Sequence, residues 1–128
     1  MDITTDILIN GAPADIAGVM FDPTRDREWM TRVTVSEPQT RGIQPGAEVK
    51  RASVVDGVPV DWTTAVEQFH FPHVLRLTIG GGASGYIRYD VQRHGGGSIA
   101  RIRASSEKDL FGFDLEKLRE MVERESAR

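Results

Sequence analysis

INGAPADIAGVMFDPTRDREW, residues 9–29, is the stretch of sequence that decides the fold. Proline has the fixed φ and the missing N–H donor that suit a first helical turn, so Ala12-Pro13 predicts a helix start. Three apolar residues then follow at helical spacing, namely Ile16, Val19 and Met20. Asp22-Pro23 ends that helix, and Asp22 can cap a second one that carries Trp29 into the core. The stretch therefore predicts a strand end followed by two short helices.

The middle of the chain, from Val33 to Ser105, reads as strands separated by turns, with no helical period. The strand-like runs are 32–37, 47–55, 58–69, 73–79, 86–92 and 98–104. Asp56-Gly57 is a two-residue hairpin signal, and glycine triplets mark two later turns. Because the connections are short, neighbouring strands must pair antiparallel. Together with the first strand, the six runs predict a seven-stranded sheet.

The segment from Asp109 onward changes to a helical period. Apolar residues at spacings of four, three and four form one stripe, and charged residues occupy the other face. The stripe is Phe111, Leu115, Leu118 and Val122. We expect an amphipathic helix over Asp114–Glu123, which gives the element order βααββββββα.

Composition limits the classes of function. A chain of 128 residues fits one domain, 1–128, and its 39% apolar and 27% charged content is typical of a soluble protein without a membrane span. The absence of cysteine excludes disulfides and thiolate chemistry. A net charge of −3 argues against a nucleic-acid partner. The acidic N-terminus lacks the features of a secretory signal, so we expect a cytoplasmic protein.

The element order and several diffuse motifs resemble the START-like (SRPBCC) superfamily. That group holds polyketide cyclases and dehydrases, lipid-transfer domains and birch-pollen-allergen-like proteins. Beyond residues 9–29, the resemblance rests on Val66-Glu67 before Pro72, on Tyr89 and Val91, and on the Gly-Gly-Gly-Ser step at 95–98. It implies an α+β helix-grip fold, in which a seven-stranded curved antiparallel sheet surrounds the C-terminal helix. It also implies a ligand cavity between the sheet and that helix.

Strand alternation selects the side chains that face such a cavity. Val49 and Val55 place Arg51 in the inward phase, while Trp62 and Val66 bring Thr64 and Gln68 with them. The expected ligand-binding set is Trp29, Val49, Arg51, Trp62, Thr64, Leu75, Leu77, Tyr89, Phe111, Leu118 and Met121.

Arg51 and Tyr89 are the candidates for chemistry. A guanidinium in an apolar wall offers a fork of donors to a carboxylate, phenolate or enolate. The alternative is an exposed Arg51 that pairs with Glu48, Asp61 or Glu67 at the surface. The Tyr89 hydroxyl can act as a weak acid or orient a carbonyl, and the alternative is a core tyrosine bonded to a neighbour.

Neither the histidines nor the glycine triplets predict a further site. His70 and His73 flank the turn at Phe71-Pro72 and His94 adjoins a glycine triplet, without a third metal ligand at a suitable spacing. Neither triplet lies between a strand and a helix N-terminus, where a phosphate would bind. No metal and no cofactor are expected.

Three functions are compatible with these features. The first is binding, including lipid transport, of a hydrophobic or aromatic small molecule. The second is a cofactor-independent cyclase or dehydrase, in which Arg51 steadies an enolate and Tyr89 or water moves protons. The third is a protein-interaction module.

The shortness of the last helix adds an expectation about assembly. A stripe of about three turns should leave apolar surface uncovered around Trp29, Leu77 and Phe113. Surface of that kind is usually covered by a partner, so a homodimer is expected.

Overall fold

The computed structural model describes residues 1–126, so the last two residues of the predicted 1–128 domain lie outside the described range. The strands are β1 (Asp2–Ile9), β2 (Val33–Pro38), β3 (Glu48–Val55), β4 (Val58–His70), β5 (Val74–Gly81), β6 (Gly85–His94) and β7 (Gly97–Ser106). The helices are α1 (Pro13–Met20), α2 (Asp26–Trp29) and α3 (Leu115–Ser126), and a 3₁₀ turn at Pro23–Arg25 precedes α2. The predicted order βααββββββα is confirmed.

The strands form one antiparallel sheet in the order β1-β7-β6-β5-β4-β3-β2. Strands β2 to β7 each lie beside their neighbours in sequence, because the connections between them are short. Strand β1 forms the far edge and pairs with β7 from Asp2 opposite Ser105 to Ile9 opposite Ser98. The sheet curls into a half-barrel that holds α3, so the α+β helix-grip architecture is confirmed.

The opening segment folds as its residue types require. Pro13 is the first residue of α1, and the backbone N–H groups of Asp15 and Ile16 donate to the carbonyl oxygen of Ala12. Asp22 caps the 3₁₀ turn, because its Oδ1 accepts a hydrogen bond of 3.0 Å from the Thr24 N–H. The chain therefore turns between α1 and α2, and α2 buries Asp26 and Trp29.

The last helix begins later than the apolar stripe suggested. Asp114 caps α3 by accepting a hydrogen bond of 3.0 Å from the Lys117 N–H, whereas Phe111 lies in the preceding segment. The N–H groups of Phe111 and Gly112 both donate to Asp109 Oδ1, which turns the chain before the helix. The prediction that Phe111 belongs to the helical stripe was therefore wrong, and the buried face of α3 is Leu118, Met121 and Val122.

An aromatic stack fills the space that the short helix was expected to leave uncovered. Trp29 stacks on Phe113 at 5.7 Å between ring centroids, and Phe113 stacks on Phe111 at 4.8 Å. Trp29 is 0% exposed beneath this stack, and Leu77, which lies elsewhere on the inner face, is 4% exposed. The prediction of uncovered apolar surface at these positions was wrong, because both residues are buried and Phe113 packs on Trp29, and the homodimer expected from it loses that basis.

Within residues 1–126, no helix has the length and apolar composition that a membrane crossing requires.

Candidate functional site

Two connected spaces lie between the opening helices, the β2–β3 connection and the inner face of the sheet. The inner cavity has a volume of about 30 Å³, and the outer cleft, which opens to solvent, has about 440 Å³. Residues common to both walls are Phe21, Pro23, Pro38, Thr40, Gly42 and Ile43. The inner cavity is completed by Met20, Asp26, Ala47, Glu48, Val49, Arg51, Val66, Leu75, Leu77 and Tyr89. The outer cleft is completed by Ala17, Gly18, Asp22, Thr24, Phe69 and Phe71.

A buried ion pair forms the polar part of the inner cavity. Arg51 Nη1 donates to Asp26 Oδ2, and the two side chains are only 3% and 4% exposed. Asp26 comes from α2 and Arg51 from β3, so the pair also ties the helix to the sheet. Burial of a charge is tolerated when an opposite charge and hydrogen bonds compensate it, as they do here.

Two of the three guanidinium nitrogens of Arg51 donate hydrogen bonds to protein groups. Its Nε donates to Thr64 Oγ1 at 3.0 Å, and its Nη1 lies 3.4 Å from Ser36 Oγ in addition to Asp26. One face of the group lies over the Trp62 ring, with Cζ 5.4 Å from the ring centroid. Among the hydrogen bonds of residues 1–126, none uses Arg51 Nη2. Arg51 can therefore donate a further hydrogen bond from Nη2, although its charge is already balanced by Asp26.

Burial dominates the protonation of Asp26. It raises the pKa of the Asp26 carboxyl to about 6, although the charge and hydrogen bond of Arg51 act to lower it. The charge of Asp22 raises this pKa further, and a hydrogen bond from Ser36 opposes the rise. A carboxyl of this kind changes its protonation close to neutral pH, unlike an exposed one.

Tyr89 reaches the same cavity from β6. Burial, together with the charge of Asp26, raises the pKa of the Tyr89 hydroxyl well above its ordinary value, and the charge of Arg51 opposes that shift. The hydroxyl is therefore neutral and can donate a hydrogen bond. Within the described chain no group is hydrogen-bonded to it, which leaves it available to a bound molecule.

Aromatic rings line the route from solvent to this polar floor. Phe21 lies edge-on to Phe69 at 6.5 Å and to Phe71 at 6.3 Å, and it stacks on Tyr89 at 5.9 Å. Phe71 is 52% exposed, so the outer end of the row faces water. The outer cleft is thus an aromatic channel that leads inward to Tyr89 and the ion pair.

A bulge in β4 explains why Phe69 and not Gln68 joins this row. The pairing of β4 with β5 shifts between Val66 and Gln68, so Gln68 lies opposite Arg76 and Phe69 opposite Leu75. The extra residue reverses the alternation of side chains beyond it. The prediction of an inward Gln68 was wrong for that reason.

The predicted ligand-binding residues divide into two groups. Those that line the inner cavity are Val49, Arg51, Leu75, Leu77 and Tyr89. The others, all buried, lie outside its wall and are Trp29, Trp62, Thr64, Phe111, Leu118 and Met121. Thr64 still acts on the site through its hydrogen bond with Arg51.

The surface ion pairs considered for Arg51 are not formed, and Glu67 pairs instead with Arg76 at 3.1 Å.

Trp62 has a packing role on the far side of Arg51. Its Nε1 donates to Ser53 Oγ at 2.9 Å, and Ser53 Oγ donates to the Leu110 carbonyl oxygen at 2.6 Å. Phe111 packs edge-on against the Trp62 ring at 5.7 Å. These contacts fix the segment before α3 against β3 and β4.

The cavity therefore lies in a different place from the one that was expected. Between the sheet and α3, the volume is occupied by Trp29, Phe111 and Phe113. The walls of the inner cavity and the outer cleft contain no residue of α3 within the described range. The large aromatic side chains displace the free space toward α1 and the β2–β3 connection.

Asp26 is the main site residue that sequence reasoning missed. It precedes Trp29 by three residues, and residues at that spacing share one face of a helix, so its inward direction had a signal. Phe21, Ile43 and Phe69 were missed as well. Ile43 lies in an irregular connection, where no periodicity reports the direction of a side chain.

Comparisons with known proteins place the chain among helix-grip structures. Protein NE0264 from Nitrosomonas europaea matches with a TM-score of 0.76 and 11% identity, over 100% of this chain and 97% of the other. The KanY protein matches with a TM-score of 0.74 and 16% identity, over 96% and 97%. Ara h 8.0201 matches with a TM-score of 0.63 and 15% identity, over 98% and 89%.

No protein-family model and no curated protein sequence matches the chain. At these low identities the structural matches establish the fold alone, which is the helix-grip fold that the sequence predicted.

Proposed function

We propose that this protein binds a small, largely apolar molecule, with its ring or chain in the outer cleft and its polar end at Arg51 and Tyr89. The observation that carries the proposal is the row of aromatic rings that leads from solvent to a buried polar floor. Ligand sites are typically apolar clefts with a few converging polar groups. Ara h 8.0201 shares the fold but supplies no ligand identity for this chain.

The volumes of the inner cavity and the outer cleft indicate which part of the ligand each can hold. A cavity of about 30 Å³ accommodates about one or two water molecules or a single polar group. The outer cleft, at about 440 Å³, lies within the range of small-molecule sites, which runs from about 300 to 1,000 Å³. The apolar body of the ligand is therefore assigned to the outer cleft. Transport of a lipid-like or aromatic molecule in the cytoplasm is the form of this function that we favour.

A fluorescence titration with the uncharged dye Nile red tests the proposal. Phe71→Ser removes the exposed ring at the mouth of the cleft, so the dye should bind about tenfold more weakly, in line with the loss of one buried aromatic contact. Leu8→Ser is the matched control, because Leu8 is 54% exposed on β1 and lies outside the cleft. Its affinity for the dye should equal that of the wild type.

Equal affinities in both variants and in the wild type would place the dye elsewhere and contradict the proposal. Native mass spectrometry of the protein from its own host gives an independent check, because a copurified molecule would add its mass to the chain.

A second candidate is the cofactor-independent cyclase or dehydrase, and one observation favours it. Asp26, whose pKa is raised to about 6, lies in the same apolar cavity as Arg51 and Tyr89. A carboxyl with a pKa near neutrality is suited to proton transfer, and a guanidinium donor can stabilise an enolate oxygen. The test is product formation from a linear poly-β-ketone by wild type and by Tyr89→Phe, which keeps the ring and removes the hydroxyl. Identical product distributions would remove Tyr89 from any catalytic role.

The protein-interaction alternative has less support. Within residues 1–126, the exposed large apolar side chains are Met1, Leu8, Val54, Val58 and Phe71. Val54 and Val58 lie beside the hairpin that joins β3 and β4, whereas Phe71 belongs to the cleft. Scattered apolar residues of this kind are ordinary on a protein surface.

A further inference from the structure

The charges around the inner cavity bear on which ligands it can accept. Arg51 carries a fixed positive charge and Asp26 lies in direct contact with it. Tyr89, the other buried ionisable group in the wall, is neutral, and Glu48 lines the cavity as an exposed residue. The floor of the site therefore has almost no net charge when Asp26 is ionised, although it contains an arginine.

An anionic ligand gains little at such a floor. A carboxylate that approached Arg51 would also approach Asp26 Oδ2, which is hydrogen-bonded to the same guanidinium. Attraction by Arg51 and repulsion by Asp26 then nearly cancel. The free-energy cost of removing the ligand's charge from water is not offset. The site penalises a negative charge that a lone arginine would attract.

An uncharged hydrogen-bond acceptor fits the same floor. Two donors are free to meet it, namely the Nη2 group of Arg51 and the hydroxyl of Tyr89, since neither has a hydrogen-bond partner within the described residues. A carbonyl, ether or hydroxyl oxygen accepts from both donors and introduces no charge. The apolar walls formed by Met20, Val66 and Leu77 suit the carbon atoms next to it.

We propose that Asp26 is a specificity-determining residue, which neutralises Arg51 and thereby restricts the site to uncharged ligands with an oxygen acceptor at their inner end. This inference rests on the proposed binding function and adds the chemical class of the ligand. The corollary is that loss of the Asp26 charge converts the same floor into an anion site, because Arg51 is then unmatched.

Two probes with the same ring system test this selectivity by isothermal titration calorimetry. Acetylnaphthalene presents a ketone, and naphthoate, substituted at the same ring position, presents a carboxylate. At about pH 8, where Asp26 is ionised, wild-type protein should bind the ketone about tenfold or more tightly than the carboxylate. Asp26→Asn should gain about tenfold or more in affinity for the carboxylate, so that the preference for the ketone is lost.

Asp90→Asn is the matched control. Asp90 also pairs with an arginine, since its Oδ2 lies 3.0 Å from Arg88 Nε. It follows Tyr89 on β6, so its side chain points to the opposite face of the sheet. The variant removes one negative charge from an Asp–Arg pair outside the site, and its preference for the ketone should equal that of the wild type.

A change of pH tests the same point without a substitution, which matters if Asp26→Asn fails to fold. The charged and titratable groups that act on Asp26 are Arg51 of β3, Asp22 before the 3₁₀ turn and Tyr89 of β6, with the Ser36 hydroxyl of β2 as a further hydrogen-bond partner. Lowering the pH from about 8 to about 5 protonates Asp26, while the probe carboxyl, with a pKa of about 4, stays mostly ionised. Wild-type affinity for naphthoate should rise about tenfold or more, and affinity for the ketone should stay constant.

The possible results separate the inference from the function on which it rests. If wild type binds both probes equally well at about pH 8, the inference fails and the binding function stands. If wild type binds neither probe, the binding function fails and the inference fails with it. If naphthoate affinity is unchanged both in Asp26→Asn and on acidification, Asp26 does not set the selectivity.

Discussion

Asp26 and Arg51 hold the second helix against the inner face of the sheet. Each side chain is almost fully buried, and the hydrogen bonds from Arg51 to Thr64 and from Ser36 to the Pro23 carbonyl oxygen extend the contact into β4, β2 and the 3₁₀ turn. Removal of one charge from such a pair leaves the other buried without compensation, which is far more costly than replacement of both.

We expect Arg51→Ala to lower the free energy of unfolding by about 3–5 kcal/mol in denaturant titrations near neutral pH. The paired replacement of Asp26 by Leu and Arg51 by Met removes both charges and should recover most of that loss. Arg88→Ala is the control, because its ion pair with Asp90 is partly solvated and should contribute only about 0–1 kcal/mol. A loss in the double variant as large as in Arg51→Ala would mean that the pair itself supplies the stability.

The raised pKa of Asp26 gives a pH dependence with a definite sign. The pKa rises from 3.8 to about 6 on folding, so the folded protein binds the proton more tightly than the unfolded chain. The contribution of Asp26 to stability is therefore fully present below about pH 4 and is lost as the pH rises through about 6. The difference in unfolding free energy between wild type and Asp26→Asn should fall across that interval, by at most about 1.4 kcal/mol per pH unit. A difference that grows with pH would show that Arg51 outweighs burial.

The sequence identified Arg51 as a candidate site residue but did not identify its partner, Asp26. Alternation along one strand places Arg51 beside Val49 and Val55 on the inner face, and burial of these residues confirms that phase. Asp26 is 25 residues away in the chain and lies on a helix of only four residues. The spacing of three residues from Trp29 is the one sign of its inward direction, because the helix is too short for a repeated apolar pattern.

The segment between β7 and α3 decides how the last helix is seated. Gly112 has a positive φ of 63°, and a Cβ atom at this position would lie 2.3 Å from Thr31 Oγ1 and 2.9 Å from the Arg32 nitrogen. The Gly112 carbonyl oxygen accepts a hydrogen bond of 2.8 Å from the Thr31 N–H. This contact joins the segment to the end of α2 and positions Phe111 and Phe113 over the core.

Gly112→Ala should therefore lower the free energy of unfolding by about 1–2 kcal/mol or more, because it combines a left-handed backbone with a clash. Gly18→Ala is the matched control, since Gly18 lies in α1 and no atom would meet its Cβ within 4 Å. There the substitution should be neutral or stabilise the protein by up to about 1 kcal/mol. Chemical denaturation of both variants checks the pair, and equal stabilities would show that the segment before α3 is not held as described.

The approximate bounds of strands and helices could be predicted from the sequence wherever the apolar residues repeat with an unbroken period. Strand order and turn positions were predicted because glycine and Asp-Gly signals separate the strands. Two predictions, an inward Gln68 and a helical Phe111, were wrong for local reasons. The bulge after Val66 reverses the alternation in β4, and the hydrogen bonds to Asp109 exclude Phe111 from a helix whose spacing it fits.

For the whole molecule, the element order is enough to predict a curved sheet around a helix, but it does not locate the free volume inside. That location depends on which large side chains occupy the concave face. Trp29, Phe111 and Phe113 fill the space beside α3, and the space that stays open lies against Phe21 and Tyr89. Packing of this kind depends on three-dimensional contacts among distant residues, and a single sequence carries no direct record of them.

The proposed function requires that a small apolar molecule bind between α1, the β2–β3 connection and the inner face of the sheet. Intermolecular nuclear Overhauser effects in a complex with acetylnaphthalene test it most directly. We predict contacts from the naphthyl protons to Phe21, Phe69 and Phe71, and from the acetyl methyl group to Tyr89. Contacts to Leu118 and Met121 of α3, with none to the three phenylalanines, would place the ligand beside α3 and contradict the proposed site.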